Sequence, residues 1–299
     1  MNWDIGLVGY GEVGRIFSRG LKEQSGRAVQ AWDLKFADAA LRDAELRHAA
    51  EHGIAACASA AELCRQSNLV ISAVTASNTL AVAQEVARHI RPGTLFLDLN
   101  SASPGTKVQC AALIDAAGGH YVEAGVMTSV PPYGIKVPML LGGAKAAELA
   151  AVLSGWGMDA KAVAEKIGVA SAIKMCRSVM IKGLEALVIE SYTTARAYGV
   201  EAHMIPTLYE TFPGIDWNAQ GAYFFSRVAQ HGKRRAEEMR ESANTVLEAG
   251  FTPFMAAAIA EKHDWVAQQS RAGVFAGIGT EAQWQDYADR LLERSRQGN

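Results

Sequence analysis

The sequence predicts an α/β domain with a parallel sheet over residues 1–163, followed by an all-helical domain over 164–299 built on one long helix. Three observations carry this reading. The first half alternates short apolar runs with longer amphipathic ones, the pattern of βαβ units. The second half shows no strand-like alternation. Residues 168–198 hold helix formers with no proline and end on Gly199, where a helix should stop. A length of 299 residues suits two domains of about 150 residues each.

Taken in order, residues 5–8 read as the first strand, 15–24 as the amphipathic helix that returns over the sheet, and 29–32 as the second strand. Residues 69–74, 94–97 and 121–126 continue the strands. Arg91-Pro92-Gly93 and Gly118-Gly119 supply turns at two of the joints. A last apolar piece, 137–141, closes on Gly142-Gly143 and leads into an Ala-rich helix. Beyond Trp156 the texture changes. The helix over 168–198 would be about 45 Å long at 1.5 Å per residue, more than a small domain needs, and suggests a spine shared between domains or subunits. Residues 204–294 are helical in pattern, with breaks expected at Pro206, Pro213-Gly214, Gly250 and Pro253.

Composition narrows the function. With 49 % hydrophobic and 20 % charged residues, collagen-like and disordered chains are excluded. Twenty-nine Lys and Arg against 31 Asp and Glu give a net charge of −2, no field to hold a polyanion, so nucleic acid is not an expected partner. Cys57, Cys64, Cys110 and Cys176 form no C-x-x-C pair, which speaks against a zinc site or a disulfide framework and for a reducing compartment. No apolar run reaches about 18 residues, and the chain enters its first strand with no room for a signal peptide. A cytoplasmic protein with no membrane partner is expected.

The strongest motif is Gly9-Tyr10-Gly11-Glu12-Val13-Gly14, between an apolar strand and an amphipathic helix. In that context Gly9 permits the tight turn, Gly11 lets a pyrophosphate approach the backbone, and Gly14 lets helix and strand pack closely. The helix N-terminus adds free N–H groups and a positive dipole end. The pattern predicts a Rossmann-type dinucleotide site. Asp33 ends the next strand at the expected distance of about 20 residues and would accept hydrogen bonds from the adenosine ribose, favouring NAD over NADP. Lys35 could attract a 2′-phosphate, which leaves NADP possible.

Two later strand ends are further candidates, because such sheets bind ligands outside the carboxyl ends of their strands. Val74 and Thr75 would lie against the nicotinamide side. Asn100 and Ser101, in the run Asp98-Leu99-Asn100-Ser101-Ala102-Ser103-Pro104, offer an amide and a hydroxyl to a ribose or a carboxylate. Ser103-Pro104 with Thr106 also reads as a helix cap. On the long helix, Lys174, Ser178, Lys182 and Glu185 fall within an arc of about 80°. Facing a cleft, the two lysines would lower each other's pKa toward that of a general base; otherwise the stripe is a solvated face. Phe212, Trp217, Tyr223, Phe224 and Phe225 cluster further on and read as core more readily than as pocket.

With the glycine fingerprint, the Asp-Leu-Asn-Ser-Ala-Ser-Pro segment and Gly168-x5-Lys174, the whole chain resembles the β-hydroxyacid dehydrogenases. That superfamily includes 3-hydroxyisobutyrate and 6-phosphogluconate dehydrogenases, and the similarity points to a 6-phosphogluconate dehydrogenase-like branch with its own C-terminal domain. The resemblance implies NAD(P)-dependent oxidation of a β-hydroxy acid, a small-molecule substrate, or reduction of the matching carbonyl. It implies Lys174 as acid/base, no metal, and a homodimer packed along the long helix. Imine reduction and a non-catalytic dinucleotide sensor are the alternatives. Departures from the family are visible. Ser178 stands where the family has Asn. Glu123-Ala124-Gly125-Val126-Met127-Thr128-Ser129 stands where it has D-A-P-V-S-G-G, so Met127 replaces a serine. Thr128 or Ser129 would then supply the hydroxyl, or Lys182 or Arg177 would hold the substrate carboxylate. A Lys-Asp pair common in the family is matched only loosely by Arg234, Arg235 and Glu238, and no role is carried over from it.

Overall fold

Parallel strands covered on both faces have no polar side, and the first strand, β1 (Ile5–Val8), is accordingly buried at all four positions. The computed structural model describes residues 3–297. Seven more strands join it: β2 (Val29–Trp32), β3 (Ala55–Ala56), β4 (Leu69–Ser72), β5 (Leu95–Asp98), β6 (His120–Val126), β7 (Met139–Gly142) and β8 (Ala160–Ala164). They form one sheet in the order β3-β2-β1-β4-β5-β6-β7-β8, in which only the β6–β7 pairing is antiparallel. The order reverses between β1 and β4. That switch point opens a crevice at the carboxyl edge of the sheet.

Side chains alternate between the two faces with the period of two that a strand imposes. Ile5, Leu7, Leu69, Ile71, Leu95, Leu97, Val122 and Ala124 enter one core, with Phe17 and Leu21 of α1 (Glu12–Ser25) and Leu149 and Leu153 of α6 (Ala146–Gly155). Val8, Val70, Phe96 and Tyr121 enter the other. They meet Leu63 of α3 (Ala60–Gln66), Ala83 of α4 (Thr79–Ala87) and Cys110 of α5 (Pro104–Ala116). Helix α2 (Arg42–Glu51) follows β2.

The long helix, α7 (Val169–Tyr198), is followed by α8 (Glu201–Thr211), α9 (Trp217–Glu248), α10 (Phe254–Arg271) and α11 (Trp284–Gln297). By packing, the chain divides after Met175, so the first unit runs past residue 163. The opening of α7 is hydrogen-bonded to Glu123 of β6 and belongs with the sheet. The second unit has an apolar core of its own, including Ile189, Tyr192, Phe225, Val228 and Trp284. No helix among the described residues is long and apolar enough to cross a membrane.

Three details differ from the sequence expectations. The expected strand over 69–74 ends at Ser72, because the Val74 N–H is taken by the Asn100 side chain at 2.7 Å. Pro206 does not break its helix: α8 runs through it, at the loss of one backbone hydrogen bond. Strands β3 and β8 had no apolar signal to read, since most of their residues are exposed.

Candidate active site

The glycine fingerprint forms the turn from β1 into α1. Gly9 has φ +95°, a conformation that favours glycine, and a Cβ there would stand 2.5 Å from the Ala73 carbonyl oxygen. A Cβ on Gly14 would collide with the Gly9 carbonyl oxygen. Gly11 differs: a Cβ there would meet no atom within 4 Å. Gly9 and Gly14 are therefore closed by protein, while Gly11 borders open space. Gly11 also sits at the N-cap of α1 without a side-chain cap, so the helix N–H groups remain available to an anion. Glu12 is exposed and Val13 packs against the core. These features fit a pyrophosphate.

Asp33 follows β2. Its Oδ2 accepts from the Tyr10 N–H at 2.6 Å and its Oδ1 from the Lys35 N–H at 2.9 Å, which fixes the carboxylate at the edge of the cradle. Each oxygen keeps a further lone pair for a ribose hydroxyl. The Tyr10 ring is buried, and its hydroxyl meets His48 Nδ1 at 3.1 Å.

At the ends of β4 and β5, Asn100 links the two strand ends. Its Oδ1 accepts from Val74 N–H and its Nδ2 donates to Ser72 Oγ at 2.9 Å, so both amide atoms bind protein. Thr75, exposed on the turn that follows Val74, accepts from Asn78 Nδ2 at 2.9 Å. Beneath the loop lies an arrangement that the sequence did not reveal. Asp98 is buried with Lys107 Nζ 3.0 Å from its Oδ1, and the Tyr121 hydroxyl donates to its Oδ2 at 2.6 Å. Burial and the neighbouring Asp98 raise the Tyr121 phenol well above its usual range, so it stays a donor. The ion pair and this hydrogen bond anchor the strand that presents Ser101.

Lys174 is half-buried, and its Nζ donates to Ser101 Oγ at 2.5 Å. Two residues on β6 set its position. The fully buried Glu123 carboxylate accepts from the N–H groups of Gly168 (2.7 Å), Ala170 (3.0 Å) and Ser171 (3.3 Å), satisfying the donors that open α7. A negative charge at a helix N-terminus is also favoured by the dipole. Gly125 permits close approach: a Cβ there would stand 2.8 Å from the Ala170 carbonyl oxygen and 3.5 Å from Lys174 Cβ. Met127, Thr128 and Ser129 follow β6 as a loop, with Thr128 exposed and the other two half-buried.

In the helical unit, Arg177 is exposed, whereas Ser178, Lys182 and Glu185 are buried rather than solvated. Lys182 Nζ lies 2.9 Å from Glu238 Oε2 and donates to Ser178 Oγ at 3.2 Å. Glu185 binds the Arg235 guanidinium through both oxygens, with the Nε contact at 2.8 Å. Burial raises the Glu185 carboxyl above the usual range, against the pull of Arg235. His263 of α10 is fully buried beside Glu185, and neither ring nitrogen has a hydrogen-bond partner among the described residues. Burial, reinforced by Arg235 and Lys182, drives its pKa down to about 3. Arg235 and Glu238, set aside in the sequence, thus pair with the α7 stripe. Among the clustered aromatics, Trp217, Phe224 and Phe225 are core, while Phe212 and Tyr223 are exposed.

Comparison with known proteins agrees with this architecture. The family model described as the NAD binding domain of 6-phosphogluconate dehydrogenase matches residues 4–163. Another, described as a domain of unknown function, matches residues 195–266. A conserved hypothetical protein from Sinorhizobium meliloti 1021 is 37% identical, with 98% of this chain and 97% of that one covered and a TM-score of 0.77. The conserved protein MTH1747, of unknown function and described as structurally similar to 3-hydroxyacid dehydrogenases, is 28% identical. That match covers 90% of this chain and 98% of the other, with a TM-score of 0.69. The 3-hydroxyisobutyrate dehydrogenase of Mycobacterium tuberculosis shares the fold at 19% identity, with coverage of 97% and 99% and a TM-score of 0.71. The chain belongs to the β-hydroxyacid dehydrogenase superfamily, in a branch that joins the NAD-binding domain of 6-phosphogluconate dehydrogenase to a distinct helical C-terminal domain.

Proposed function

We propose that this protein oxidises a β-hydroxy acid, or reduces the matching carbonyl compound, with Lys174 moving the proton. One observation carries the reading: Lys174 Nζ stands 2.5 Å from Ser101 Oγ, on the loop that ends β5. The amine is thereby brought to the carboxyl edge of the same sheet whose β1 opens into the glycine cradle. Strands lie about 4.8 Å apart, so the cradle on β1 and the Ser101 loop on β5, two strands away, are separated by about 10 Å of that edge. A dinucleotide with its pyrophosphate at Gly11 and its ribose on Asp33 would extend across Val74 and Thr75 toward Lys174.

The bound nicotinamide supplies the hydride acceptor. Lys174, with Ser101 beside it, holds the substrate hydroxyl and takes its proton during oxidation; in the reverse direction it returns the proton to the forming alkoxide. Proton transfer of this kind contributes about 10² to 10⁴ in rate, and positioning adds to it. We assign the substrate carboxylate to Thr128 and Ser129. Lys182 is a poorer choice, because its charge is already met by Glu238 at 2.9 Å. Met127 offers an apolar wall in place of a hydroxyl. Ser178 and Lys182 brace the helix rather than read the substrate.

A homodimer belongs to the same proposal. Ile173, Met180 and Leu187 are 41%, 67% and 55% exposed at seven-residue spacing along α7, an apolar stripe that a second copy would cover. The functional test is reduction of NAD, followed by nicotinamide absorbance, with a panel of β-hydroxy acids. Imines with NADPH are run in the reverse direction. Turnover of a hydroxy acid supports the proposal; turnover of imines alone would replace it.

A further inference from the structure

Between α1 and α2 lies a pocket of about 480 Å³ that begins at Gly11, the open side of the cradle, and is lined by Arg15, Arg19 and Lys35. Its position puts it next to Asp33, where the adenosine ribose would be held. Three cations near a ribose 2′-position would ordinarily mark a phosphate subsite. Here they are opposed. Glu45 of α2, 8% exposed, pairs with the Arg15 guanidinium and lies 3.8 Å from Lys35 Nζ. Glu12 lines the same pocket, and Asp33 stands beside Lys35, whose backbone N–H it holds. Arg15, Arg19 and Lys35 are thus balanced by Glu12, Asp33 and Glu45.

We infer that Glu45 determines which cofactor the cradle accepts: by neutralising Arg15 and Lys35 it leaves the pocket fit for the free ribose hydroxyls of NAD and unfavourable to the 2′-phosphate of NADP. This rests on the proposed seating of the ribose at Asp33. A 2′-phosphate arriving in the wild type meets no net positive charge and has Asp33 as a neighbour. Removing the Glu45 charge leaves one cation unopposed and two side chains released to turn toward the phosphate. Interaction of a unit charge with a nearby dianion at a half-exposed site is worth about tenfold or more in affinity, and it weakens as salt rises.

The experiment titrates wild type, Glu45→Gln and Glu45→Asp with NAD and NADP, and with the adenosine fragment carrying or lacking the 2′-phosphate. Binding is read by calorimetry. Wild type should prefer NAD. Glu45→Gln should shift the NADP-to-NAD affinity ratio toward NADP by about tenfold or more at low salt, with the shift shrinking at high salt, and Glu45→Asp should keep the wild-type order. Should Glu45→Gln fail to fold, Lys35→Gln serves instead and should move the ratio further toward NAD. A ratio that neither substitution moves, or a wild type that already prefers NADP, overturns the inference while leaving the cofactor site standing. Wild type that binds neither cofactor nor fragment overturns the ribose assignment and this inference together.

Discussion

Replacing Glu123 by Gln keeps the size of the side chain and removes its charge, so it isolates the role of that carboxylate at the start of α7. In the native protein Oε1 accepts from Gly168 and Ala170 and Oε2 from Ser171, in a place with no solvent exposure. An amide can leave its oxygen on the first pair only by turning its NH₂ toward the Ser171 N–H, donor against donor. One charge-assisted hydrogen bond is lost, worth about 1.5–3 kcal/mol, together with a charge–dipole interaction of up to about 2 kcal/mol. These overlap, and a loss of about 3 kcal/mol in stability is expected. The functional effect follows from the sequence distance: Lys174 lies within two turns of the capped end. A displaced helix start carries the amine away from Ser101, and a misplacement of about 1 Å costs about 10²-fold in rate. Chemical denaturation and steady-state kinetics on one preparation measure both, with cofactor titration as the control. Lower stability, a kcat reduced by tens to a hundredfold and unchanged cofactor affinity are expected. If stability falls while kcat holds, Glu123 is a structural cap that does not position Lys174.

Further outcomes follow from the helical unit. His263 has a folded pKa of about 3 against an ordinary 6.5, so below about 6.5 the unfolded chain takes up a proton that the folded chain refuses. Stability from this group is intact above 6.5 and declines as pH falls toward 3. Between pH 7 and pH 5 the loss should be about 2 kcal/mol and should vanish in His263→Leu; equal pH slopes for the two proteins would refute the assignment. The apolar stripe on α7 predicts a dimer in light scattering at low micromolar concentration, with Met180→Glu shifting the mass toward that of one chain. A fully active wild-type monomer would remove the dimer from the account.

The sheet was legible where burial leaves a continuous apolar run. Strands β1 and β2 sit where the sequence puts them, because parallel central strands have no solvent face to interrupt the pattern. Strand β3 is two exposed alanines and β8 an exposed edge, so neither had a pattern to find. In the site, the Gly9 to Gly14 turn was readable because Gly9 and Gly14 answer local steric demands, while Gly11 borders open space. Lys174 was visible through its stripe on α7 and the family resemblance. Glu123, Asp98 and Lys107 were not, for their meaning lies in partners distant along the chain: Glu123 caps a helix 45 residues later. The α7 stripe could be seen but not interpreted. Whether Lys182 and Glu185 faced water or other charges depended on Glu238 and Arg235, which α9 brings to them.

The proposed chemistry turns on Lys174, and the most direct test compares wild type with Lys174→Met under single-turnover conditions on a hydroxy acid found by the panel. Hydride transfer to NAD is followed spectroscopically, and cofactor affinity is measured on the same samples. With Lys174 as the proton carrier, the rate in Lys174→Met falls by at least about 10²-fold while cofactor affinity stays within about twofold of wild type. Near-normal hydride transfer by Lys174→Met would contradict it.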